Sequence, residues 1–360
     1  MLSSSLRPLL RRHVATSLRR PTVKLLTTTT TTSSSGEPLK TWNAVDVEVK
    51  IGAIQRQIRE ELGKHDFDSA VEACVELRDL VEHAYEEKAN PILAACHNNL
   101  GLAQKGKGNF EEAARSLAKA VQVYEESGLK AHPSTATALH NMGVCYKEQA
   151  QHRDTPALGR TELLETAAEC LNESLTRRRE LDFSKNFDKD ANDLGIASTR
   201  VVLASILRLQ KRNADADEEV ARAVDALRRA YDAAVELPPP KGGGGGAVRK
   251  KTQDVATALA TALNNQAYFQ KLDGRFVEAQ ENYESALALR TEYLGPDHPH
   301  TIATLHNLAE LYHAHGHADK AKDLREDILA RLRAQEDRTR EQHEALQRGE
   351  IRLPAPPLHD

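Results

Sequence analysis

The sequence predicts an all-α protein, a right-handed α-solenoid of about six helical hairpins with a capping helix at its C-terminal end. One observation is the layout of residues 291–321, which read as a helix end, a Gly-Pro-Asp-His-Pro turn, a helix, a Gly-His turn and a further helix. A second is that residues 99–113 and 265–279 repeat the later part of this layout. Because a single hairpin cannot bury its apolar face, several copies indicate a stack.

The third observation is the fixed spacing of the small residue at which two helices of a hairpin meet. The spacing is 42 positions between the first two and between the last two members of the set Gly101, Gly143, Ala267 and Ala309. An alanine of the returning helix follows twelve positions after three of these residues, at Ala113, Ala279 and Ala321, and Ala216 follows Ala204 at the same distance in a further hairpin. After Gly143 the matching alanine follows at twenty-four, so this turn is expected to hold twelve extra residues.

This pattern resembles the tetratricopeptide repeat, and the 42-residue spacing with the motif LGPDHPHTIATLHNLAELY at 294–312 resembles the kinesin-light-chain type. The resemblance covers about residues 45–333. It implies that the first helices of the hairpins line a concave groove that receives another polypeptide. Such repeats serve many unrelated assemblies, so the resemblance does not identify a partner.

Residues 45–236 are expected to form repeats one to four. Repeat one lacks the Asn-Leu-Gly pattern and is interpreted as a cap, as terminal repeats are often atypical. Pro91 opens repeat two, and His132-Pro133 opens repeat three, whose turn is enlarged by residues 151–160. Repeat four occupies residues 194–235.

Residues 237–252 are interpreted as a linker, because Pro238–Gly246 combines three prolines with five glycines. It either loops out between repeats or acts as a hinge. Repeats five and six follow at 253–333. The charged residues 334–360 are expected to extend the last helix and end in a disordered tail, with a coiled-coil partner helix as the alternative.

Residues 1–40 are interpreted as a mitochondrial transit peptide. They are rich in Ser and Thr, contain no acid before Glu37, and carry apolar residues every four positions from Leu2 to Leu18. Their basic residues are Arg7, Arg11, Arg12, Arg19, Arg20 and Lys24. The predicted location is the matrix or the inner-membrane surface, and the alternatives are a plastid transit peptide and a disordered basic tail.

Composition and motifs argue against several function classes. The formal net charge of −4 disfavours a nucleic-acid protein, and no uncharged apolar run is long enough to span a membrane. No nucleophile elbow, phosphate loop, HExxH or dinucleotide motif is present, so neither an enzyme nor a cofactor is expected. The histidines between His298 and His317 lack ligand spacing, so no metal site is predicted. The four cysteines contain no Cys-x-x-Cys pair and are expected to be buried thiols.

Two columns of polar residues are the candidate peptide-binding residues. The first is the set Asn99, Asn141, Asn265 and Asn307, each just before an apolar or packing position. The family resemblance implies that such asparagines hold cargo peptides, while the alternative is that they bond to neighbouring helices. The second column lies six residues further on and contains Lys105, Lys147, Arg208, Lys271 and His313. It predicts either a basic stripe for an acidic segment or a solvated helix edge.

Together these features predict a non-catalytic mitochondrial scaffold that binds an extended, acidic segment of a protein partner. The alternative is a constitutive structural or assembly subunit of a larger mitochondrial complex. The sequence leaves the oligomeric state open.

Overall fold

The computed structural model describes residues 44–85, 90–181, 188–236 and 245–347, and the predicted leader and C-terminal tail lie outside these ranges. The described residues form twelve α-helices. These are α1 Ala44–Lys64, α2 Phe67–Ala84, α3 Pro91–Gly106, α4 Phe110–Glu126, α5 Pro133–Gln151, α6 Ala157–Arg179, α7 Lys189–Leu209, α8 Asn213–Glu236, α9 Gly245–Leu272, α10 Phe276–Leu294, α11 Pro299–Ala314 and α12 Ala318–Gln347.

The chain divides into two compact units, unit 1 up to residue 216 and unit 2 from residue 217. In unit 1, helices α1 to α7 each pack on their neighbours in sequence, as three hairpins followed by α7. In unit 2, α9 and α10 form one hairpin, and α11 and α12 form the next. These stacked hairpins confirm the predicted all-α class.

The first helices of three hairpins begin with the same cap. Pro91, Pro133 and Pro299 each occupy the first helical turn, where their missing N–H is not needed. The side chain of the residue before each proline accepts a hydrogen bond from the backbone N–H of the residue that follows the proline, at 2.8–3.2 Å. These N-cap residues are Asn90, His132 and His298.

The predicted small residues lie at the helix crossings. A Cβ atom at Gly101 would lie 2.6 Å from Cγ of Leu117, and one at Gly143 would lie 2.8 Å from Cγ of Leu171. Ala267 is fully buried and Ala309 nearly so. Larger side chains at these positions would push the two helices apart, which explains the regular spacing read from the sequence.

The structure departs from the expected boundaries after residue 236. Helix α9 begins at Gly245, inside the predicted linker, and residues 237–244 lie outside the described part. The residues Ala247 to Lys251 are compatible with a helix, so α9 extends back toward the glycines. The four cysteines are buried free thiols, as predicted.

Candidate interaction surface

The predicted asparagines lie half-buried on the first helices of their hairpins. In unit 1, Nδ2 of Asn141 in α5 donates a hydrogen bond to Oδ1 of Asn98 in α3, at 2.9 Å. In unit 2, Nδ2 of Asn307 in α11 donates to Oδ1 of Asn264 in α9, at 3.0 Å. The same bond therefore joins adjacent first helices in both units.

These two bonds match the structural alternative, in which the asparagines hold neighbouring helices in register. The other two predicted asparagines make different contacts. Asn265 donates to the backbone carbonyl of Thr261 in its own helix at 2.8 Å, and Asn99 accepts a 3.4 Å bond from Asn98. The acceptors Asn98 and Asn264 were missed, although each precedes a predicted asparagine directly and forms an Asn-Asn pair with it.

The basic column is neutralised in part within unit 1. The ammonium of Lys105 in α3 contacts the carboxylate of Glu148 in α5 at 2.9 Å, with the side chain of Lys105 20% exposed. Lys147 is half-buried beside this pair, and burial lowers its pKa. Glu148 pairs with Lys105, whereas no carboxylate of the described residues pairs with Lys147, which leaves a local excess of positive charge.

The remaining predicted basic residues lie in different surroundings. Arg208 is half-buried on α7. Lys271 is half-buried on α9, with Nζ 6.0 Å from the centre of the exposed Tyr268 ring. His313 on α11 is exposed. The structure thus groups Lys105 and Lys147 in unit 1, and places Lys271 and His313 on the first helices of unit 2.

Two histidines that sequence reasoning missed lie on the same helices as the lysines of unit 1. Burial, reinforced by nearby cations, lowers the pKa of both His97 and His140 to about 4. Nδ1 of His140 lies 3.0 Å from the hydroxyl of Thr199 in α7. Both imidazoles are therefore neutral at physiological pH. In the sequence, His97 lies two positions before Asn99 and His140 lies one position before Asn141. This closeness to the predicted asparagines could have identified both histidines.

A buried arginine links three helices in each unit. In unit 1, the guanidinium of Arg178 donates to Thr137 of α5 at 3.1 Å and to Asn192 of α7 at 3.4 Å. In unit 2, the guanidinium of Arg290 donates to Thr261 of α9 at 3.3 Å, and to Thr304 and the carbonyl of His300 in α11.

The two arginines occupy equivalent positions, each eleven residues after the alanine that packs at its helix crossing. Only 7% of Arg178 and 5% of Arg290 is exposed, and burial lowers the pKa of both. Arg178 and Arg290 each join their own hairpin to the first helix that follows it, and they thereby position first helices that carry the candidate site.

The described residues contain no group of three or more His, Cys, Asp and Glu side chains placed to hold a metal ion. Among the described helices, none is both long and apolar enough to cross a bilayer.

The chain is similar to known repeat proteins. The tetratricopeptide repeat family model matches residues 93–154 and 258–334. A putative kinesin light chain of Podosopora anserina, with nearly identical TPR-like repeats, is 18% identical over 68% of this chain and 96% of that chain, with a TM-score of 0.44. BtubC (BKLC) of P. vanneervenii is 17% identical over 87% of this chain and 96% of that chain, with a TM-score of 0.49.

The apo form of the quorum sensor NprR of B. thuringiensis is 13% identical over 80% of this chain and 65% of that chain, with a TM-score of 0.47. Among curated protein sequences, no relative matches the chain. The family match agrees with the hairpins and with the packing residues at their crossings. Each of the two compact units therefore contains one segment that matches the tetratricopeptide repeat.

Proposed function

We propose that this chain is a non-catalytic protein-interaction scaffold that holds an extended, acidic segment of a partner along its first helices. The observation that carries the proposal is a pair of half-buried lysines with one carboxylate between them, because Glu148 pairs with Lys105 and no carboxylate of the described residues pairs with Lys147. A carboxylate of the partner would balance the excess ammonium charge. Partial burial strengthens such an interaction, because the surrounding dielectric constant is lower than that of water.

The neighbouring neutral groups suit the backbone of an extended segment. Asn98 and Asn141 are bonded to each other, and an amide retains further donor and acceptor capacity after one such bond. The neutral imidazole of His97 adds a donor and an acceptor on the same helix as Asn98. Lysines would thus select acidic side chains, while amides and imidazoles bind peptide groups of any sequence.

The test is a selection of short random peptides on the immobilised chain. Peptides rich in Asp and Glu are expected to be enriched at low salt and to be lost as salt rises. Changing Lys105, Lys147 and Lys271 together to Glu should remove this enrichment. The control is Lys130→Glu, which reverses an exposed charge in the turn before α5 and should leave the enrichment intact.

Enrichment of acidic peptides that is equal on the triple variant and on the wild-type chain would contradict the proposed lysine site. The helical circular dichroism of the triple variant should be unchanged, because all three lysines retain some exposure. A complex recovered from cells that withstands high salt would instead favour a constitutive subunit.

We also propose that the scaffold works in mitochondria, on the strength of the basic, acid-free composition of residues 1–36. The test compares the full chain with a variant in which Arg7, Arg11, Arg12, Arg19, Arg20 and Lys24 are changed to Gln. Isolated mitochondria should import only the unchanged chain and protect it from added protease. Import of neither protein would contradict the mitochondrial location, and import of both would show that these six basic residues are not the import signal.

A further inference from the structure

The enlarged turn of repeat three makes its hairpin longer than the preceding one. Helix α5 continues eight residues past Gly143, whereas α3 continues five past Gly101. Helix α6 begins ten residues before its packing alanine, whereas α4 begins three before its own. The extra length is therefore mostly helix, and it extends beyond the short turn between α3 and α4.

A cavity of about 730 Å³ lies where the long hairpin extends past the short one. One wall comes from the short turn and the start of α4, including Phe110 and Glu111. The other comes from the long hairpin, including Tyr146, Asp154 and Glu162. The volume falls within the range of about 300–1,000 Å³ that is usual for ligand pockets.

The side chains that line the cavity carry mainly negative charge. Four carboxylates line it, from Glu111, Glu112, Asp154 and Glu162, and its lining contains no lysine or arginine. Glu112 pairs with Arg115 at 2.6 Å. Among the described residues, no cation pairs with the carboxylates of Glu111 or Glu162. Nδ1 of His152 lies 3.6 Å from the carboxylate of Asp154, so the unpaired negative charge of the cavity comes from Glu111 and Glu162.

Aromatic rings form the apolar part of the same cavity. Phe110 and Tyr146 are both half-buried, and the Phe110 ring lies edge to face with His152 at 5.5 Å between centres. Burial raises the pKa of Tyr146 to about 12, so its phenol stays neutral and adds no negative charge of its own. Aromatic faces next to carboxylates favour a cation that is carried on an apolar stem.

We propose that this cavity binds a basic segment of a protein partner, with an arginine or lysine side chain inserted between the carboxylates and the aromatic rings. The site differs from the first-helix surface, whose lysines favour acidic segments. It also belongs to repeat three alone, because the long hairpin arises from an insertion found once in the sequence. The scaffold would thus hold two partner segments of opposite charge.

The test is a selection of short random peptides on the full chain, read for peptides rich in Arg and Lys. The neutral variant Glu111→Gln with Glu162→Gln should weaken the selected peptides about tenfold, because it keeps the shape and removes the unpaired charge. Its control, Glu60→Gln with Glu72→Gln, neutralises two exposed acids elsewhere in unit 1 and should have no effect.

A second pair of variants tests the cavity by volume. Gly159 lines the cavity, and a Cβ atom there meets nothing within 4 Å, so Gly159→Phe should occupy the space and abolish binding. Gly63 is equally open but lies in α1, away from the cavity, so Gly63→Phe should bind normally. Basic peptides that bind all variants equally, or an absence of basic peptides, would overturn the proposal.

One further arm excludes the chain's own basic N-terminus as the occupant. The selection is repeated on the full chain with the six basic residues of positions 1–24 changed to Gln. Equal binding by both chains supports a separate partner, whereas binding only after this change would overturn the partner proposal in favour of the N-terminal segment. If the selection yields basic peptides but no acidic ones, the result contradicts the first-helix proposal and leaves the cavity proposal unchanged.

Discussion

At the scale of single residues, the two buried arginines show how two of the hairpins are attached to the helix that follows them. Thr137 and Thr261 both lie six positions before the packing residue of their helix, and each accepts a bond from the guanidinium of its own hairpin. In unit 1, a Cβ atom at Gly195 would overlap the guanidinium of Arg178, so glycine makes room for it. A planar guanidinium with several donors suits this task, because its partners come from different helices.

Arg290→Ala should destabilise unit 2 by about 3 kcal/mol, because it removes bonds to a charged donor and leaves buried acceptors without a partner. Arg290→Lys should recover less than half of this loss, because one ammonium cannot reach all the acceptors that the guanidinium joins. Urea unfolding followed by circular dichroism measures both. Full recovery by lysine would show that charge alone is required.

Gly101→Val should cost about 2 kcal/mol, because the added side chain overlaps Leu117 across the helix crossing. Gly52→Val is the matched control, since a Cβ atom at Gly52 in α1 meets nothing within 4 Å. The same urea measurement compares the two. Equal midpoints would mean that the crossing adapts to a larger residue and that the 42-residue spacing has another cause.

At the scale of elements, the caps explain why first helices start where they do. Proline presets the first turn, and the preceding side chain satisfies one of the backbone N–H groups that a helix start leaves open. The second helix α4 has Asn109 at its N-cap, but this side chain makes no capping bond. The starts of α3 and α4 therefore depend on Asn90 and Asn109 to different degrees.

Asn90→Ala should lower the stability of unit 1 by about 1 kcal/mol, because it removes the 2.8 Å bond to the N–H of Ile92. Asn109→Ala should change it by only a few tenths, since no side-chain bond is lost there. Thermal unfolding of the two variants provides the comparison. A larger loss from Asn109→Ala would contradict the capping account.

The elements also show what the sequence could and could not predict. Hairpins, packing residues and the site of the insertion were readable, because they depend on volume and periodicity along one chain segment. The bond partners of Arg178 and Arg290 were not, because the acceptors come from other helices. The insertion length alone did not reveal that most of the extra residues of repeat three are helical, so the cavity was not predicted.

At the scale of the whole molecule, the candidate site combines predicted and unpredicted residues. The asparagine and lysine columns lie on first helices, as expected from the repeat. The pairing of Lys105 with Glu148 spans 43 positions, as do the bonds of Asn141 with Asn98 and of Asn307 with Asn264. The two columns contain residues at equivalent positions of the repeats. In each bonded pair, one residue belongs to a column and its partner lies one position away from a column residue, so only one member of the pair was predicted.

The stability of unit 1 should fall as the pH decreases from about 7 to 4. In the unfolded chain His97 and His140 take up protons near pH 6.5, whereas in the folded chain their pKa is about 4. The unfolded state therefore binds more protons in this window, and the stability present above pH 6.5 is lost below it. His140 alone should account for a loss on the order of 2 kcal/mol at pH 5.

The variant His97→Gln with His140→Gln should flatten this dependence in urea unfolding at pH 7.5 and pH 5, whereas the exposed His83→Gln should not. An unchanged slope in the double variant would mean that other groups cause the acid sensitivity.

The buried arginines determine where the chain can be shortened for study. A fragment that stopped at Leu294 would keep Arg290 but lack Thr304 and the carbonyl of His300, two of its acceptors. In such a fragment the guanidinium of Arg290 would lack these acceptors, and the apolar surface that α11 covers would be exposed to solvent. Such a fragment is expected to aggregate. Shortened versions should therefore end after α11 or beyond. Counting complete hairpins does not identify the boundaries that give a soluble fragment.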